Sequence, residues 1–143
     1  MGLFGFKSKG KTNGNYKLNT LTQGEKNAVL QMFDLAMQGP VQAGIKGVAL
    51  ENARCVGNYT YKQLKMSKEH VQSDSLTVDD VKTVAFVLTS SSFAVGELIK
   101  KLQNEKIGGE RLARASILQA NGLSAKKKVD LLLQKQDNDW ESF

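Results

Sequence analysis

The sequence is poor in the residues that build chemical sites. Its 143 residues include one cysteine, one histidine and one proline. One cysteine excludes an intramolecular disulfide framework, and one cysteine with one histidine cannot complete a structural zinc site. Scarce proline and a charged fraction of 24% argue against a mainly disordered chain. Aromatic residues make up only 7%, which is thin for stacking single-stranded nucleic acid; Tyr16, Tyr59 and Tyr61 are the only candidates. The longest uncharged stretch runs over 14 residues, 83–96, and contains Thr89-Ser90-Ser91-Ser92. A membrane-spanning helix needs ~20 predominantly apolar residues, so this stretch reads as a buried core helix. The start, Met1 to Phe6, is apolar before Lys7 rather than after a basic region, the wrong order for a signal peptide. A myristoylation pattern would need Ser or Thr where Phe6 stands. These features predict an intracellular chain, cytoplasmic or within a virus particle, neither secreted nor membrane-spanning.

What is present is apolar periodicity and positive charge. The net charge is +6, and 41% hydrophobic residues over this length suffice for one domain with a core. Residues 1–20 carry four lysines, four glycines and no acid, and read as a flexible basic arm. Residues 21–136 read as a helical bundle, and 137–143 as a short acidic, aromatic tail. Thr22-Gln23-Gly24-Glu25 has capping-box spacing, followed by Val29, Met32, Phe33, Ala36 and Met37 at helical spacing. Gly39-Pro40 is expected to end that helix and Pro40 to begin a second one. The second carries Val41, Ile45, Val48, Ala49, Ala53 and Val56 on one stripe and closes at Gly57-Asn58. A weaker third helix covers 60–71. The fourth starts at Thr77, with Asp79 and Asp80 complementing the helix dipole, and carries Val81, Val84, Ala85, Leu88, Val95, Leu98, Ile99 and Leu102. It is apolar on nearly all sides between Val84 and Leu88, so it is expected to be the central, most buried helix, and its hydroxyl run is a place where it can bend. Asn121-Gly122 is expected to separate a fifth helix near 110–120 from a sixth beginning at Ser124. With no convincing strand, the prediction is all-α: a compact bundle of about five to six helices.

Gly5-Phe6-Lys7-Ser8-Lys9-Gly10-Lys11-Thr12 matches the P-loop pattern in letters only. A P-loop needs a strand before it and a helix after it, and Asn13-Gly14-Asn15 follows. Leu112 to Leu133 has the outline of a helix-turn-helix, but Leu118 and Lys128 break its spacing. Lys126, Lys127 and Lys128 would lie in the first turn of the sixth helix, where the dipole disfavours cations by ~0.3–1 kcal/mol each. They would then face an external anion, the acidic tail, or solvent alone with nothing bound. Lys100, Lys101, Lys106, Arg111 and Arg114 share the junction between the fourth and fifth helices. With Lys7, Lys9 and Lys11 these cations make nucleic acid or an acidic membrane surface a candidate partner.

Catalysis has little to stand on. His70, beside Lys68 and Glu69, reads as helix surface, and Cys55 as core. Asp79 and Asp80 are adjacent on a helix and point different ways. No catalytic residue, cofactor, metal or small-molecule substrate is expected. Leu3, Phe4 and Phe6 at one end and Trp140 and Phe143 at the other read as docking groups for other protein subunits or for self-association. The stretch Tyr61-Lys62-Gln63-Leu64-Lys65-Met66, with Asp80-Val81-Lys82, resembles part of the helical amino-terminal domain of COMM-domain proteins, over a minor part of the chain and without a diagnostic motif. The sequence thus predicts a non-enzymatic structural or assembly protein, such as a virion or phage-particle component. A nucleic-acid-binding module and a peripheral membrane protein held by the apolar tip are the alternatives.

Overall fold

The computed structural model describes residues 16–141, with side chains as far as Lys135. Five helices form the body: α1 (Gln23–Gln42), α2 (Gly47–Glu51), α3 (Tyr61–Ser73), α4 (Val78–Asn104) and α5 (Gly109–Glu141). The fold is a compact, mostly all-α arrangement. To this it adds a hairpin absent from the sequence prediction, β1 (Arg54–Val56) paired antiparallel with β2 (Tyr59–Thr60).

Three helices begin with capping boxes at Thr22, Thr60 and Thr77. In each, the threonine hydroxyl accepts from the third helical amide, and the side chain there accepts from the threonine amide. Orphan donors are satisfied at both positions. The helix ends depart further from expectation. Pro40 lies inside α1, and the stop is Gly44, which adopts a φ of 83°. Gly44 and Ile45 donate back to the carbonyls of Val41 and Pro40 at 3.0 and 3.1 Å, the paired bonds of a Schellman motif. Proline is tolerated there because it forfeits one helical bond near the end, while its carbonyl is still used.

The expected second helix does not form. Gly44 and Gly47 both take positive φ, which glycine adopts without penalty, so Val41 to Val56 cannot lie on one helical stripe. Only the short α2 remains, and Cys55 and Val56 belong to β1. Gly57, with a φ of 55°, and Asn58 form the two-residue hairpin loop. A glycine at its first position suits the strand twist.

The hydroxyl run leaves α4 unbroken over 27 residues. Thr89 and Ser90 donate to carbonyls one turn earlier, Ala85 and Phe86. Ser91 instead crosses to the Met32 carbonyl at 3.2 Å and so joins α4 to α1. The largest correction concerns α5, a single helix through Asn121-Gly122. A Cβ on Gly122 would strike the Met32 methyl and stand 2.9 Å from its sulfur. That glycine is the close-approach point of crossing helices, not a terminator. There is accordingly no turn between the expected fifth and sixth helices, and no helix-turn-helix.

α4 packs against α5, and α1 packs against both. Val29, Met32 and Phe33 of α1 meet Val84, Leu88 and Val95 of α4 and Ala125 and Val129 of α5 in one core. Of the described helices, α4 alone is long and apolar enough to cross a membrane by length and composition; its Val81–Leu88–Val95 side is buried in this core. The end of the expected arm also belongs to the body. Tyr16 and Leu76 exchange backbone hydrogen bonds of 3.0 Å in both directions, and Leu18 is only 2% exposed. At the other end α5 carries helical backbone into the expected tail, as far as Glu141.

Candidate docking surface

The cations singled out by the sequence do not form one surface. Lys100 and Lys101 end α4, and Arg111 and Arg114 open α5 across a short turn, so these four and Lys106 share one end of the helix pair, all exposed. Lys100 is 3.4 Å from Glu97, and Arg114 is bonded to Glu110. Lys126 to Lys128 stand about 18 Å further along α5, at 1.5 Å per residue from Arg114. Because α5 is continuous, they sit in mid-helix, and the expected clash with an N-terminal dipole is overturned.

Two of the three are already engaged. Lys126 pairs with Asp130 at 2.6 Å. Lys128 donates to Glu25 at 2.8 Å and to the Thr20 carbonyl at 3.0 Å. Glu25, 4% exposed, also accepts from the Ser124 hydroxyl and, within its capping box, from the Thr22 amide. Lys128, then Ser124 and Thr22, hold its carboxyl down at about 2. The counter-ion of Lys128 is therefore neither the tail nor an external anion; it is the capping residue of α1. Lys127 remains exposed.

Asp80 has more roles than dipole compensation, and His70 is not simple surface. Asp80 is 6% exposed and caps α4 by accepting from the Thr77 amide at 2.9 Å. It also accepts from the Ser67 hydroxyl at 2.8 Å, and the oxygen that accepts from Thr77 lies 2.6 Å from His70 Nδ1. Burial pushes its pKa up, but Thr77, Ser67 and His70 together bring it below the ordinary value. The residue types are those of a hydrolytic triad, but the order is not. Here the carboxylate is central, and the serine donates to it rather than to the imidazole, so no base activates the hydroxyl. The cluster fastens α3 to the start of α4. Cys55 is half-buried, and burial pushes its thiol pKa up, away from the reactive thiolate. Among the described residues, no group of three or more His, Cys, Asp or Glu side chains is placed to hold a metal.

The surface that stands out is apolar. Between α1, β1 and α4 lies an open groove of about 450 Å³, lined by Leu35, Gly39, Cys55, Val56, Ala94 and Leu98 among others. Phe93 of α4, about 140° round the helix from Leu98, is 72% exposed. Phe86, one heptad earlier, covers Gly57 and tilts against Tyr59 with ring centroids 5.3 Å apart. Leu35 and Leu98 are also more than a third exposed, so Leu98 is not the core residue its spacing suggested. Phe86 and Phe93 were legible: at 100° per residue they fall about 150° from Leu88, opposite the core stripe. The apparent all-round apolarity of this helix hid them.

Of the other expected docking and polyanion-binding residues, Leu3, Phe4, Phe6, Lys7, Lys9, Lys11 and Phe143 lie outside the described residues, as does the Trp140 side chain. The P-loop-like letters Gly5 to Thr12 lie there too. No family model, curated protein or solved structure matches this chain, so the COMM-domain resemblance is carried no further.

Proposed function

We propose that the protein is a non-enzymatic structural or assembly component that docks on other protein subunits, in a setting such as a virus or phage particle. The observation that carries this reading is the open apolar groove between α1, β1 and α4, which leaves Leu35 and Leu98 more than a third exposed beside Cys55, Val56 and Ala94. A contiguous apolar patch with polar surroundings marks an interaction site more often than a chance exposure. The two ends of the chain, with Leu3, Phe4 and Phe6 on one side and Trp140 and Phe143 on the other, supply further docking groups.

Sedimentation of native extract tests this reading. The wild-type chain is expected in a high-mass fraction, with Leu35→Asp/Leu98→Asp shifting it to the free 15.7 kDa species. A free wild-type chain, or a double variant that stays in the high-mass fraction, overturns it.

A second reading, attraction to a phosphate backbone, rests on Lys100, Lys101, Lys106, Arg111 and Arg114 being exposed together at the α4–α5 turn. Its signature is affinity for nucleic acid that falls steeply with salt. No binding at low salt ends it.

A further inference from the structure

The side of α4 turned away from the core carries a pattern that a single copy of the chain leaves unused. Phe86 and Phe93 stand seven residues apart on it. Phe93 is 72% exposed, and Phe86, 40% exposed, is held in place against Gly57 and Tyr59. Charge follows in both directions. Lys82 and Asp79 lie one and two turns before Phe86, and Glu97 and Lys100 one and two turns after Phe93, all four exposed. At 100° per residue, all six side chains fall within about 30° of a single direction. Lys100 is 3.4 Å from Glu97. Asp79 and Lys82 have no ion-pair partner among the described residues.

The order of residues along this face is its own complement when reversed about the point between Thr89 and Ser90. The phenylalanines stand about 5 Å to either side, Lys82 and Glu97 about 11 Å, and Asp79 and Lys100 about 16 Å. Thr89 and Ser90 donate to the carbonyls of Ala85 and Phe86 in their own helix. Covering them therefore strands no hydroxyl donor.

We propose that two copies of the chain pair through this face of α4, antiparallel, about a two-fold axis between Thr89 and Ser90. Phe86 of each copy then meets Phe93 of the other, Lys82 meets Glu97, and Asp79 meets Lys100. Each end of the interface becomes a cluster of four charges alternating in sign, which keeps the Glu97–Lys100 contact of each copy. A parallel pairing would set every charge against its own kind. Sliding the antiparallel pair by one heptad sets Lys100 on Phe86 or Asp79 on Phe93. Only opposed signs in the intended register make the face self-complementary, as a two-fold interface must be. Roughly 30 Å of paired helix is a small interface, so the dimer is concentration- and salt-dependent. The charge pairs fix its register; within one copy Asp79 does no more than complement the helix dipole.

The pairing rests on the assembly reading and names one partner, a second copy of the chain. The test is sedimentation of purified full-length protein, separate from the native-extract experiment. Wild type is expected at twice 15.7 kDa at low salt and high concentration. Asp79→Lys/Lys82→Glu and Glu97→Lys/Lys100→Glu are each expected at the monomer mass. Each swap leaves the net charge of +6 unchanged and keeps opposite signs three residues apart, so a loss of dimer reports the facing copy. Mixing the two variants is expected to restore the dimer, because every facing pair is again opposite in sign. A monomeric wild type, a dimer indifferent to both swaps, or variants that stay apart on mixing overturn the pairing. Release of Leu35→Asp/Leu98→Asp from the high-mass fraction would still stand in that case.

Discussion

Two glycines in helices show how a residue's meaning depends on what faces it. At Gly122 the missing Cβ makes room for Met32, which is fully buried, and for the Ser92 hydroxyl at 3.3 Å. Gly122→Ala gains ~1 kcal/mol of helix propensity, but forcing Met32 from a packed core costs ~1–3 kcal/mol. Net destabilisation in urea unfolding is the expected outcome. At Gly96 a Cβ would stand 2.7 Å from the Gln119 amide nitrogen, which ends a flexible, half-buried side chain and donates to the Ser92 carbonyl at 3.3 Å. Moving it aside gives up that one bond, ~0.5–1.5 kcal/mol, against ~1 kcal/mol of helix propensity, so Gly96→Ala is expected to be near neutral; equal losses at both sites would contradict this account. Glu25 gives a residue-scale prediction in pH. Its pKa is depressed in the fold to about 2, so its contribution is complete above the ordinary glutamate value of about 4.3. That contribution disappears as pH falls from there towards 2. The melting-temperature advantage of wild type over Glu25→Gln should be level near neutrality and shrink over that acid window. An advantage that does not change with pH would refute the Lys128–Glu25–Ser124 contact as its source.

Among the elements, the start of α4 separates two adjacent carboxylates that look alike in sequence. Asp79 is exposed and only complements the dipole, whereas Asp80 closes the capping box and accepts from Ser67 and His70. Removing Asp80 loses a cap and leaves the buried Ser67 hydroxyl without its acceptor, a cost of ~2–4 kcal/mol. Asp79→Ala should stay within ~0.5 kcal/mol by chemical denaturation; comparable losses at both would contradict the assignment. A similar comparison decides α5. Leu123→Pro falls beside Gly122 in mid-helix, where it removes a backbone bond and clashes with the preceding turn, costing ~3 kcal/mol or more. Two helices meeting at an Asn-Gly turn would tolerate proline far better, so the size of this loss reports the continuity of the helix.

Across the protein as a unit, distribution of charge matters more than its total. A net charge of +6 suggests a basic surface, but the described cations are divided between the α4–α5 turn and the middle of α5, and part of the second group is spent on Glu25 and Asp130. If phosphate backbone binding occurs, Lys101→Glu/Arg111→Glu should remove most of it, and Lys128→Gln should mainly lower the melting temperature. The reverse ranking, read by fluorescence titration and thermal unfolding, would move the polyanion surface to α5.

What near neighbours along the chain dictate could be read from the order of residues. Thr22 with Glu25 and Thr77 with Asp80 announce helix starts, because a capping box closes within four residues. Val81, Leu88 and Val95 announce a core face, because helical periodicity is local. Whatever depends on a distant side chain had to wait for the folded body. Asn121-Gly122 reads as a stop until Met32 is placed opposite, and Lys128 reads as a free cation until Glu25, 103 positions earlier, arrives beside it. Gly44 and Gly57 lie between these cases: glycine alone readily permits their positive φ, but the stop at Gly44 is closed by bonds back to Val41 and Pro40, and Phe86 packs over the hairpin loop at Gly57.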